Sequence, residues 1–223
     1  MGRRRSDDVD ALLERVEGSE AGSGVRRSLL EQLTELTQPG SEAWALATRE
    51  LARLMVDREP WRASLLARRV VDQDPGDHLA WGLVGLAQSL LGNHAYAISA
   101  YERALVLAPE EPAYLHNLGH LLDACLDRPG DAIALLRRAH LRLRHDAHVT
   151  ASLAHALARA GAIDEARRLM LAVVRRPALE EHHALYRWLL EEHERAVSLA
   201  LEGEAAPSRR RRVRASRLTR PLA

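Results

Sequence analysis

The sequence predicts an all-α protein built from repeated helical hairpins, and two observations carry that prediction. The first is a repeat. Trp81, Val84 and Gly85 return as Leu115, Leu118 and Gly119 at a step of 34 residues, and Ala97, Tyr101 and Ala104 return as Ala132, Leu136 and Ala139, displaced by one inserted residue. The second is composition. Of 223 residues, 47% are hydrophobic, drawn from Ala, Leu and Val with no Phe at all. That content is enough to bury a substantial core, and it suits close-packed helices better than a sheet of β-branched and aromatic residues.

Taken in order, the chain opens with a short amphipathic helix on which Val9, Leu12, Leu13 and Val16 share a face, with Asp7 or Asp8 placed to cap it. Gly18 to Gly24, GSEAGSG, reads as a flexible linker. The N-terminal arm of residues 1–24 is therefore free to pack on the array, on a partner or on a second copy. A helical domain is expected from 25 to 203. Leu29, Leu30, Leu33 and Leu36 form its first apolar face, ended by Pro39 and Gly40. From Trp44 the repeat is weaker: Ala63, Ala67, Val70 and Pro75 keep the spacing of the next copy, but Trp44 lies three residues too far upstream. A longer first helix or a longer turn, broken near Pro60, is expected there.

Two clear copies run from His78 to about 143. A degenerate third spans Ala147 to Pro177, with Leu153, Ala154 and Leu157, a turn at Gly161, then Ala166, Met170 and Val173. One long helix follows to Gly203, with Leu185, Tyr186, Trp188 and Leu189 closing the core and Glu191, Glu192 and Glu194 facing water. Gly85, Gly119, Ala154, Ala97, Ala132 and Ala166 allow close helix approach, while Trp81, Tyr101 and Leu136 fill the space between repeats. Residues 204–223 are Arg-rich, without acids or helical periodicity, and are expected to be disordered.

On these residues the chain resembles a tetratricopeptide repeat protein, whose unit is a 34-residue hairpin with a Trp, Leu, Gly, Tyr, Ala, Phe, Ala, Pro pattern. The resemblance covers roughly residues 41–178 and implies a tetratricopeptide-type helical-hairpin superhelix, an α-solenoid. It also implies that the first helix of each repeat lines a concave groove for a peptide or helix of another protein. Carried over residue by residue, the groove positions are Leu79, Gly82, Leu86, Ser89 and Leu90; then Ala113, His116, Asn117, His120, Asp123 and Ala124; then His148, Ala151, His155, Ala158 and Arg159. Asn117 stands where many such repeats carry Asn, able to meet a peptide backbone as donor and acceptor. A basic clamp on a C-terminal carboxylate is unsupported, because its places hold Gly82, Leu86 and His148. The implied role is a non-catalytic adaptor or assembly scaffold, with a ligand apolar at one end and polar or acidic at the other.

Charge supplies the alternative. The formal net charge is +1, but Arg3 to Arg5 and the seven arginines from Arg209 to Arg220 leave residues 6–206 at −9. Arg209, Arg210, Arg211, Arg212 and Arg214 are candidate phosphate contacts, which admits a nucleic-acid-associated regulator; against it, no aromatic residue interleaves them to stack on bases. Self-assembly through Val9 to Val16 or around Trp188 is a third reading, and the oligomeric state is open.

All 32 basic residues are Arg, which suggests GC-rich bacterial coding. Cys125 is the single cysteine, so no internal disulfide forms; it is expected as buried filler. No signal-peptide apolar run follows MGRRRS and no stretch is long enough to span a bilayer, so a cytoplasmic location is expected. His116, His120 and His155, with Asp123, invite a metal reading, but no further His pair reinforces it and no metal or cofactor is assigned. His182 with His183, and His140 with His145, read as solvated surface. No nucleophile motif or phosphate loop points to an enzyme.

Overall fold

The computed structural model describes residues 2–176 and 179–215, with the side chains of 7–176 and 179–199. Among these residues there are eleven α-helices and no strand. The chain divides into two compact units, Met1–Leu143 and Arg144–Ala223.

The first unit is a stack of helical hairpins. α1 (Gly2–Glu17) and α2 (Gly24–Leu36) form the first. Val16 is buried with Leu29, Leu30 and Leu33, and Val9, Leu12 and Leu13 lie against the same core. The segment expected as a flexible linker is a closed turn. Ser19 Oγ and Arg26 Nη1 both donate to the Val16 carbonyl, each at 2.7 Å, so the end of α1 keeps its backbone partners and the helix is held on α2. The expected cap at Asp7 or Asp8 is not used, because the helix starts at Gly2 and runs through both.

Three further hairpins follow in this unit: α3 (Glu42–Met55) with α4 (Pro60–Gln73), α5 (His78–Leu90) with α6 (His94–Leu107), and α7 (Pro112–His120) with α8 (Pro129–Arg142). Local chemistry sets their starts. Ser23, Ser41 and Asp77 accept from the amides of Arg26, Trp44 and Ala80, satisfying donors that the first turn of each helix leaves unpaired. Pro60, Pro112 and Pro129 stand at the starts of α4, α7 and α8, where a missing N–H costs nothing. Pro60 thus begins a helix after the break.

The displaced Trp44 has a simple account. α3 begins 18 residues before α4, whereas α5 begins 16 before α6; the helix and the turn are each one residue longer. Trp44 is also the third residue of its helix and Trp81 the fourth. The two tryptophans consequently do different work: Trp44 is fully buried, while Trp81 is half-buried and donates through Nε1 to the Pro75 carbonyl at 3.0 Å.

The inserted residue of the next repeat is a π turn, Leu121–Cys125, continuing α7. A π turn carries one residue more than an α turn, so α8 starts 35 residues after α6 without disturbing the helices on either side. The turn between paired helices is conserved in shape through this change. Gly92, Asp127 and Gly161 occupy the same place in three repeats, and all have positive φ, 76°, 55° and 87°.

Small residues are where backbones meet rings. A Cβ on Gly85 would lie 2.8 Å from Cδ1 of Tyr101, and one on Gly119 would lie 2.7 Å from Cγ of Leu136. Tyr101 and Leu136 are themselves fully buried, so neither has room to yield.

The second unit holds α9 (Ala147–Arg159), α10 (Ile163–Val174) and α11 (Glu180–Ala215). Asp146 caps α9 through the Val149 amide at 3.0 Å. Leu153, Ala154, Leu157, Ala166, Met170 and Val173 are buried, as the degenerate repeat predicts. Of the four α11 side chains expected to close the core, Leu189 is fully buried, Leu185 and Tyr186 are half-buried and Trp188 is 36% exposed, so that closure rests chiefly on one. The helix also does not stop at Gly203. It continues to Ala215, through the boundary expected for the tail, in keeping with the good helix propensity of Ala and Arg. The side chains of Arg209, Arg210, Arg211, Arg212 and Arg214 lie outside the described residues.

Candidate partner-binding face

In the first unit the first helices of the hairpins stand side by side. Arg49 of α3 is ion-paired with Asp77, the cap of α5. The ring of Tyr114 on α7 covers Gly82 of α5 so closely that a Cβ at Gly82 would strike it, and the Tyr114 hydroxyl is 3.1 Å from His78 Nδ1. Gly82 is therefore a packing residue beneath the face rather than part of its surface.

Of the positions that the resemblance assigns to a groove, Leu79 and Leu90 on α5 are 48% and 52% exposed. Leu86 and Ser89 are half-buried between them. On α7, Ala113 and His120 are exposed, and His116 and Asn117 are half-buried. The rings of His116 and His120, one helical turn apart, stack with centroids 6.1 Å apart. An apolar strip on α5 thus lies beside a polar strip on α7.

Sequence reasoning missed what lies below. The Tyr101 hydroxyl of α6 is buried without a well-formed hydrogen bond, and the polar side chains that approach it are Ser89 and Asn117. Ser89 Oγ already donates to the Gly85 carbonyl at 2.9 Å. Burial pushes the Tyr101 phenol up to about 12, with Ser89 and Asn117 pulling the other way. Burial also raises Tyr114 to about 12, helped by Glu111 and Asp77. Asn117 therefore borders this buried hydroxyl as well as the open face. The signal was present in the sequence, since Tyr101 was read as filler and its hydroxyl needs polar neighbours.

Asp123 does not belong to the face. It is 1% exposed. In an α-helix it would follow His116 and His120 along one side, but the π turn winds more widely and sets it out of register. Cys125, expected to be buried, ends that turn and is exposed. Of the metal set read from the sequence, Asp123 is buried whereas His120 is exposed, and His155 lies on α9 of the second unit.

In the second unit His148 and Arg159 of α9 are exposed, Ala151 and His155 half-buried and Ala158 buried. The side of α9 that bears His148 and His155 faces the chain's own α11. The His155 ring is 6.3 Å from Trp188, and the His148 ring is 5.1 Å from His182. His182, expected as solvated surface, is 3% exposed. Among the described residues the one group of metal-ligating side chains that converges is His148, Glu181 and His182.

No protein-family model and no curated protein matches this chain. Solved structures do. PilF of Pseudomonas aeruginosa is similar at a TM-score of 0.69, with 19% identity over 91% of this chain and 94% of that one. YrrB, described as a TPR protein with an unusual peptide-binding site, is similar at 0.62, with 20% identity over 78% of this chain and 86% of that one. MamA of Desulfovibrio magneticus is similar at 0.61, with 16% identity over 78% and 97%. The fold is an all-α helical-hairpin solenoid of the tetratricopeptide type. No helix among the described residues is long and apolar enough to cross a membrane.

Proposed function

We propose that the protein is a non-catalytic adaptor that binds an extended segment or amphipathic helix of another protein along the face of α5 and α7. The observation that carries this reading is the pairing of half-exposed Leu79 and Leu90 with the polar strip of His116, Asn117 and His120. Leucines left open beside convergent polar groups offer a ligand both apolar burial and orientation. The peptide-binding site for which YrrB is described supports the same use of a similar fold.

The test is selection from a random peptide library on the intact chain, followed by titration of the selected peptide against Leu90→Asp and His120→Glu. Both side chains are exposed, so the substitutions spare the core. Each is expected to weaken binding at least ~10-fold. Binding that ignores both changes places the ligand elsewhere and removes this reading.

A second reading follows from charge: an acidic span of −9 followed by seven arginines attracts phosphate backbones to the chain's end. Retention on DNA or RNA should then fall steeply with salt and vanish on truncation after Gly203. Unchanged retention after that truncation excludes it.

A further inference from the structure

We propose that His148, Glu181 and His182 form a binding site for a divalent transition-metal cation, joining α9 to α11 within the second unit. One imidazole nitrogen each of His148 and His182 and a carboxylate oxygen of Glu181 all lie within 4.8 Å of one another. Glu181 Oε1 is 3.7 Å from His148 Nδ1 and 3.9 Å from His182 Nε2. In a tetrahedral zinc site, bonds of about 2.0–2.2 Å set neighbouring donors roughly 3.3–3.5 Å apart. The His148 and Glu181 side chains are 63% and 65% exposed, which leaves room for the adjustment of a few tenths of an ångström that this spacing needs.

The buried member is what makes this more than a surface cluster. His182 is 3% exposed, and its Nε2, aimed at the other two donors, has no hydrogen-bond partner. A buried polar nitrogen without a partner is rare and calls for an explanation. The ring is held in place from its other side, where the Leu179 amide donates to Nδ1 at 3.3 Å and closes the first turn of α11 in the manner of a capping box.

This contact fixes the proton bookkeeping. With Nδ1 accepting, the neutral ring carries its proton on Nε2. Cation binding takes the Nε2 lone pair, so the proton moves to Nδ1 and the hydrogen bond from the Leu179 amide to that nitrogen is given up. No proton is gained or lost by His182 in that exchange. Two imidazoles and one carboxylate suit zinc, nickel or copper rather than calcium or magnesium, and they leave a coordination position for water. Glu180 is already engaged by Arg187 at 2.8 Å, so Glu181 supplies the negative charge at the site.

The experiment uses the full-length, untagged chain, stripped with chelator and titrated calorimetrically with Zn²⁺ alone. One ion per chain with a micromolar or tighter dissociation constant is expected, together with a rise in melting temperature that grows with free Zn²⁺. His148→Ala and Glu181→Gln, both at exposed positions, should each weaken binding at least ~10-fold while leaving the metal-free melting temperature unchanged. Nitrogen-15 spectra of the imidazoles should show His182 protonated on Nε2 without metal and on Nδ1 with it. Binding weaker than about 100 µM, or binding that both variants leave intact, rules the site out.

Discussion

Gly92 and Asp127 hold the same place in successive repeats, with φ of 76° and 55°. The three-residue turn between these paired helices places a left-handed residue here, and Asp127 fills that place with a side chain that glycine lacks. Aspartate tolerates this region better than most residues, whereas a β-branched side chain does not. Asp127→Val is therefore expected to destabilise the protein by about 1–2 kcal/mol. Asp127→Gly should be neutral or stabilising by up to about 1 kcal/mol. Thermal unfolding of the two variants checks this, and equal loss in both would show that the side chain's own contacts matter more than φ.

Gly85 and Gly130 make an opposite pair. A Cβ at Gly85 meets the buried Tyr101 ring at 2.8 Å, but nothing lies within 4 Å of one at Gly130, in the first turn of α8. Gly85→Ala should cost about 1–3 kcal/mol through overpacking. Gly130→Ala should gain a few tenths to about 1 kcal/mol by restricting the unfolded chain. Denaturant midpoints at equal slope report both.

High pH should weaken the fold through Tyr101. Its phenol titrates at about 12 in the folded chain against 10.0 for the free group, so the folded state holds the proton more tightly. The contribution is whole below pH 10 and is lost as pH rises to about 12, amounting to roughly 2–3 kcal/mol for a shift of this size. Tyr101→Phe should flatten the fall in stability between pH 10 and 12. An unchanged slope would locate the alkaline sensitivity elsewhere.

Val16 ties α1 to the array. It is 3% exposed, and its carbonyl receives both Ser19 and Arg26. Val16→Asp would bury an unpaired carboxylate and should cost about 2–4 kcal/mol, with α1 becoming rapidly exchanging in amide hydrogen exchange while α5 stays protected.

The helical pairs of the array and their close-packing glycines were legible in the sequence because each leaves a periodic mark: Gly85 and Gly119 recur at 34 residues, and Ala132 records an insertion of one. What periodicity cannot show is how the insertion is absorbed. The π turn changed the facing of Asp123 and exposed Cys125, both of which an unbroken α-helix would place differently. His182 was misread for another reason: beside His183 and two glutamates it resembles solvated surface, and only its position against α9 buries it. Leu90 and His120 are exposed, and their spacing in the repeat is what assigns them a side of the helix.

An extra residue in a strictly α-helical segment rotates everything after it by about 100°. Between Leu121 and Cys125 that phase error is confined to five residues, and α8 still meshes Leu136 against Gly119. The array can thus change length by a single residue without re-cutting the interfaces on either side, and the displaced Asp123 is the scar left by that edit.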